Sequence, residues 1–365
     1  MLFWALLFLF LVTTIVIRKV FFPGHQFVTA SGASIMAMGI VLNGALSYLG
    51  MIPEWILTSI TLLISTIWIL FFYEMILAVI QKQWKQRYLG QPLQLFAMGT
   101  WVAGTSMFLL SIFSYFPKQI WLLRIIDGMN FLLWILYIGL VLMSLKKVKI
   151  SKLNGIILLV TVGTQSTVII NDLLYRNQVP SVLYEMGIIM GIFFYIVGLV
   201  VLCIRYFPLK KWDLADDWAN PNCIIHGAAS ITGLAIAMTG VFSPQVLVIV
   251  WVWTFLLFLL IEGIEIIRGV VRVKRYGWMK GIGTYHVSQW ARNFTFGMFF
   301  MFSSNVKLEL SEYILIKNMY VVTMEILPWL VLLLFVAECA LFVKSQFKNP
   351  FTKKRFMVES SEVSS

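Results

Sequence analysis

The chain has 365 residues, of which 60% are hydrophobic and only 12% charged, with a mean hydropathy of +0.90; this excludes a string of soluble domains and marks a polytopic membrane protein. With 3 His and 3 Cys there is no basis for a disulfide framework or a metal cluster, so no metal, cofactor or enzymatic activity is expected. A net charge of +12 would suggest a nucleic-acid partner only if the charges failed to sort by membrane topology.

In chain order, an apolar stretch from Leu2 to Ile17 comes first, followed by ten stretches long enough to cross about 30 Å of hydrocarbon. They lie near 25–46, 53–80, 94–116, 121–145, 153–174, 183–207, 221–243, 245–270, 287–306 and 315–345. The first stretch lacks a basic flank before it and a small-residue cleavage site after it, which argues against a signal peptide. Whether it spans the membrane or lies at the interface stays open. Residues 1–21 are therefore set apart as an N-terminal hydrophobic segment, 22–346 as the membrane domain, and 347–365, basic and then rich in Ser and Glu, as a disordered tail.

The basic residues collect in alternate loops: Arg18 and Lys19; Lys82, Lys85 and Arg87; Lys146 to Lys152; Arg205 to Lys211; Arg268 to Lys280; and Lys344 onward. The other loops hold Lys118, Arg176 and Lys307. The positive-inside rule puts the basic loops and the C-terminus in the cytoplasm, so the charge reports topology and no nucleic-acid partner is expected. The expected location is the plasma membrane and the principal partner is the lipid bilayer.

An internal repeat lies in helix texture. HQFVTASGASIMAMGIVLNGAL is followed by a bulky helix containing ILFFYEMILAVI, and the contrast recurs in FAMGTWVAGTSMF, LNGIILLVTVGTQSTVII, CIIHGAASITGLAIAMTG and WARNFTFGMFFMFSS with their partners. Helices of small and hydroxyl residues gain little from lipid, so they belong inside, ringed by bulky ones. Polar groups inside a membrane point to a transport path.

These segments, in this order and spacing, resemble the tellurite-resistance/dicarboxylate transporter family, which includes TehA-like proteins and slow anion channels. The resemblance covers residues 22 to 345 and includes Pro23-Gly24 at the first inner helix. It implies an all-α integral membrane fold of ten transmembrane helices in five hairpins around a pseudo-five-fold central pore, with the Leu2–Ile17 helix as an extra, a small anion as substrate, and a homotrimer as the assembly. Matching Thr295-Phe296-Gly297-Met298 to the family pattern assigns a pore-blocking role to Phe296. Gly297 replaces a Pro common in relatives, and Arg292-Asn293 also departs from the pattern, so Phe294 and Phe299 are the alternatives.

An anion in a low-dielectric slab needs polar groups in place of its water. Hydroxyls and amides provide them without a trapping charge. Ser31, Ser34, Thr105, Thr164, Gln165, Ser166, Ser230 and Thr232 are the expected pore-lining residues, of which about half can face one line. Gly32, Gly104, Gly163, Gly227 and Gly297 would allow close helix packing or bending. Arg292 could draw anions toward the pore or simply snorkel to the interface. His226 could sense pH, or sit neutral in a hydrogen bond. Arg124 with Asp127, and Glu265 with Arg268, have the spacing of local ion pairs. Glu185, Glu262, Glu325 and Glu338 on outer helices have no assignment. The leading expectation is anion movement through a Phe-gated pore. A proton-coupled dicarboxylate or oxyanion carrier of the same fold and a non-conducting scaffold or sensor are its rivals.

Overall fold

The structure, a computed structural model, describes residues 2–21, 27–90, 92–144, 148–176, 178–207, 212–306 and 314–347. The Pro23-Gly24 pair and the tail from 348 lie outside the described residues. Eleven helices organise the chain: α1 Leu2–Phe21, α2 Thr29–Leu49, α3 Glu54–Ile80, α4 Leu93–Tyr115, α5 Pro117–Ser144 and α6 Gly155–Tyr175. They continue with α7 Ser181–Tyr206, α8 Asn220–Thr239, α9 Pro244–Gly281, α10 Gln289–Asn305 and α11 Ile314–Phe347. No strand occurs among the described residues. Nine of these helices, all but α1 and α10, are long and apolar enough to cross a bilayer, so this is an all-α, multi-pass membrane protein. At 17 residues α10 is shorter.

Proline and glycine write the turns. The outer helices α3, α5, α7 and α9 each begin at a proline, Pro53, Pro117, Pro180 and Pro244, where a missing N–H costs nothing. Helices α2 and α8 each end on a glycine in the left-handed region, Gly50 at φ 62° and Gly240 at φ 64°, a conformation that a Cβ disfavours.

Burial alternates as the texture requires. In the most apolar window of α2, α4, α6 and α8, 67%, 94%, 83% and 83% of residues are buried, against 44%, 22%, 28%, 17% and 22% in α3, α5, α7, α9 and α11. The small-residue helices close into a ring: α2 packs on α4, α4 on α6, α6 on α8, α8 on α10, and α10 returns to α2. Each outer helix packs on the inner helix before it in the chain, and α3, α5 and α7 also on the one that follows.

Every seam of the ring has a glycine where a Cβ would crowd the neighbouring helix. A Cβ on Gly32 would come within 2.5 Å of the Thr100 carbonyl oxygen, and one on Gly104 within 3.1 Å of the Gly32 carbonyl oxygen. Gly99 meets the Leu159 carbonyl between α4 and α6, and Gly155 meets the Pro221 carbonyl between α6 and α8. Gly227 and Gly233 meet Thr295 and Phe302 between α8 and α10, and Gly297 meets Ile40 between α10 and α2. Backbone approach of this kind is what lets helices associate without a hydrophobic driving force. Gly163 is looser, 3.6 Å from Tyr137 and 3.7 Å from Val102.

The helix α1 lies along the outside of α3. Phe3 packs against Phe116 at one end, with centroids 4.6 Å apart and the rings tilted by 57°, and Arg18 pairs with Glu74 at the other, where Glu74 also accepts the Phe27 N–H at 3.0 Å. Contacts at both ends of a 20-residue helix, about 30 Å long at 1.5 Å per residue, fit a helix parallel to the bundle rather than one lying flat at the interface.

Candidate functional site

The contacts each inner helix makes fix which of its faces points at the ring axis. On α10, Arg292, Phe296, Phe299 and Ser303 recur at intervals of four, three and four, the period of one helix face. All four meet α9: Arg292 pairs with Glu265, Phe296 packs on Phe258, Phe299 on Trp251 and Phe258, and Ser303 accepts the Trp251 indole N–H. Thr295 and Phe302 face α8, and Gly297 and Phe300 face α2. The face that remains carries Phe294, Met298 and Met301. At about 100° per residue, Phe294 sits roughly 200° from Phe296. Phe296 is therefore turned away from the axis, its ring 5.0 Å from Phe258 and 5.9 Å from His226, while Phe294, 1% exposed, points inward. Phe299 also faces α9.

The same reasoning sorts the hydroxyls. Thr105 donates to the Trp101 carbonyl and accepts the indole N–H of Trp68 on α3 at 3.0 Å. Thr164 donates to the Val160 carbonyl and accepts that of Trp134 on α5 at 3.1 Å. With Trp251 and Ser303, at 3.0 Å, this makes one contact repeated in three hairpins: a tryptophan on an outer helix anchoring a hydroxyl on the next inner helix. These hydroxyls face the outer layer. Gln165 also points outward, its amide donating to the Ile188 carbonyl on α7 at 3.1 Å beside Gly191. Ser31 accepts the Val28 N–H, a helix-start role. Ser34, on the side of α2 away from α4 and α10, donates to the Ser31 carbonyl.

Ser166 lies on the α6 face opposite the α5 and α7 contacts, toward the axis, and Ser230, midway between Gly227 and Gly233, lies on the α8 face packed against α10. Both, like Thr232, donate to a carbonyl of their own helix at 2.8 Å. Met36, Leu110, Leu234, Phe294 and Met298, all buried, share the axial faces with Ser166. The axis is thus mostly apolar. A buried helical Ser or Thr finds its nearest acceptor one turn back, so these hydroxyls are satisfied within their own helices.

Arg292, half-buried, is engaged rather than free: its Nη2 lies 2.8 Å from Glu265 Oε1 and its Nε 3.6 Å from Glu262 Oε2. Glu265 also holds Arg268 at 2.7 Å, and Arg268 donates to Asn220 at 2.8 Å. His226, fully buried, lies 3.2 Å from Glu262 Oε1 through Nε2. Two glutamates, two arginines and a histidine thus lock α9 to α8 and α10, with the charges balanced when His226 is neutral. Sequence periodicity could have found Glu262, Glu265 and Arg268 as one stripe of α9, but not the Arg292 and His226 that they meet. Arg124 forms no ion pair with Asp127 among the described residues; it donates to the Leu174 carbonyl at 3.0 Å instead.

At the basic end, α9 runs 38 residues in all, and its backbone leaves helical geometry at Gly277, φ 77°. There Arg275 pairs with Asp213 at 2.6 Å, and its hydrogen bond holds the Asp213 carboxyl below the ordinary carboxylate range.

No known family model matches the chain, and no curated protein does.

Proposed function

We propose that the protein carries small anions across the plasma membrane along the axis of the five-helix ring, with its basic loops and C-terminus in the cytoplasm. The observation that supports this most is the closed ring itself, small-residue helices shielded from lipid by an outer layer that takes no part in it. A structural bundle needs no such segregation. Among the described residues of α2, α4, α6, α8 and α10, Asp172 is the one carboxylate, and α6 turns it to the α7 side, near Tyr184. A cation on the axis would find no fixed counter-charge.

The axis is closed by Phe294 with Met298 and Met301, an apolar constriction that holds back a hydrated ion until it moves. In this reading Phe294 takes the blocking role that the resemblance put on Phe296. The TehA-like assignment, the ten-helix pore and the trimer belong to the same proposal. The experiment is flux in proteoliposomes of purified protein, with chloride, nitrate, sulfite and malate against sodium and potassium. Anion flux without cation flux is expected; cation flux, or none of any ion in any variant, would reject the reading in favour of a cation path or a scaffold.

A further inference from the structure

Two buried acceptors on α5 lack donors. Asp127 and Asn130, each 2% exposed, stand three residues apart and face the seam where α4 and α6 pack on α5. The Asn130 amide donates to the Val102 carbonyl at 3.2 Å and to Ser106 Oγ at 3.1 Å. A carbonyl accepts only from an N–H, so this contact fixes the amide orientation and leaves Asn130 Oδ1 as an acceptor with no partner. Asp127 Oδ1 has none either.

Arg124, one turn earlier on α5, does not neutralise the carboxylate. Its Nε and Nη2 both donate to the Leu174 carbonyl, at 3.3 and 3.0 Å, and its guanidinium lies 5.0 Å from the Tyr175 ring centroid. Of the other titratable or charged groups on the surfaces packed there, Tyr175 hydrogen-bonds the Asp127 carboxyl, leaving Oδ1 bare, and Asp172 and Arg176 stand at the end of α6; the described residues of α4 include no charged group. An ionised carboxylate with a bare oxygen in this seam would carry a heavy desolvation cost. One proton resolves both deficits: on Asp127 Oδ1 it removes the charge and supplies the donor that Asn130 Oδ1 lacks. Residues three apart on a helix have Cβ atoms about 5–6 Å apart, within reach of that bond.

We infer that Asp127 and Asn130 form a proton-binding site, Asp127 protonated and donating to Asn130 in this conformation, and that release of this proton accompanies anion movement. The second clause rests on the proposed function; the first does not.

Infrared difference spectroscopy of the full-length protein in nanodiscs tests the first clause. The C=O band of a protonated carboxylic acid is expected in wild type near neutral pH and lost in Asp127→Asn, an isostere of the neutral acid. In Asn130→Leu, which removes the acceptor, the band should move to higher frequency. No such band in wild type, or an unchanged one in Asp127→Asn, would overturn the assignment. So would a thermal stabilisation by sodium chloride over choline chloride that wild type shows and Asp127→Asn lacks, because the site would then hold a metal cation. For the second clause, an inward proton gradient should accumulate chloride severalfold in wild-type proteoliposomes and not in Asp127→Asn. Anion flux that ignores the gradient would overturn the coupling and leave the anion path intact. Absence of all anion flux would overturn the path and the coupling together while the infrared band still decides proton occupancy.

Discussion

Gly227 of α8 stands against the Thr295 side chain of α10 so closely that a methyl group at position 227 would overlap it. A Cβ there would come within 2.2 Å of the Thr295 side chain and 3.4 Å of its Cα. Gly227→Ala is therefore expected to destabilise the protein by about 1–3 kcal/mol, the usual range for overpacking. Gly163→Ala, at ordinary contact distances, should be close to neutral. Thermal unfolding of the two variants in one detergent makes the comparison.

The repeated tryptophan anchors predict a small and equal effect. Trp68→Phe, Trp134→Phe and Trp251→Phe each remove a donor while keeping an aromatic ring in place. A double-mutant cycle of Trp68→Phe with Thr105→Val should give a coupling of about 0.6 kcal/mol, typical of interhelical hydrogen bonds in membranes. A coupling of zero would mean that the indole N–H of Trp68 has no preference for Thr105.

The ion-pair cluster behaves differently because its members are largely buried. Arg292→Leu leaves Glu262 and Glu265 facing each other with less compensation and should cost about 3 kcal/mol or more. Adding Glu265→Leu should recover part of that loss, since removing both partners of a buried pair costs less than removing one. A double variant less stable than Arg292→Leu alone would show that Glu265 serves Arg268 more than Arg292.

At the basic end, the Asp213 carboxyl is held below its ordinary value by Arg275. A group depressed in the folded state adds stability above its unfolded value and loses it as the pH falls through the folded one. The acid limb of thermal stability should therefore flatten in Asp213→Asn, with no change near neutral pH beyond a constant offset. The groups are exposed, so the effect should shrink at high salt.

The hairpin order and its inner and outer layers were legible because membrane burial selects on residue size: FAMGTWVAGTSMF cannot profitably face lipid, and α4 is the most buried span. What the sequence could not supply was rotation about each helix axis. Phe294 and Phe296 differ by two positions and point in nearly opposite directions, a choice made by Phe258, Trp251 and Glu262 on another helix. Thr105 and Ser166 look alike as hydroxyls in small-residue helices, yet a tryptophan on α3 claims the first. Glu262, unassigned on an outer helix, proved to reach inward because an inner-helix histidine and arginine stand opposite it.

The central claim, a ring axis closed by Phe294, is tested most directly by comparing chloride and nitrate flux in proteoliposomes containing wild type, Phe294→Ala and Phe296→Ala at matched protein density. Phe294→Ala should raise flux by at least tenfold, while Phe296→Ala should lower thermal stability by about 3 kcal/mol or more, as large aromatic truncations do, without opening the path. Flux that rises in Phe296→Ala and not in Phe294→Ala would contradict the assigned helix face and return the gate to the α8 and α9 side of α10.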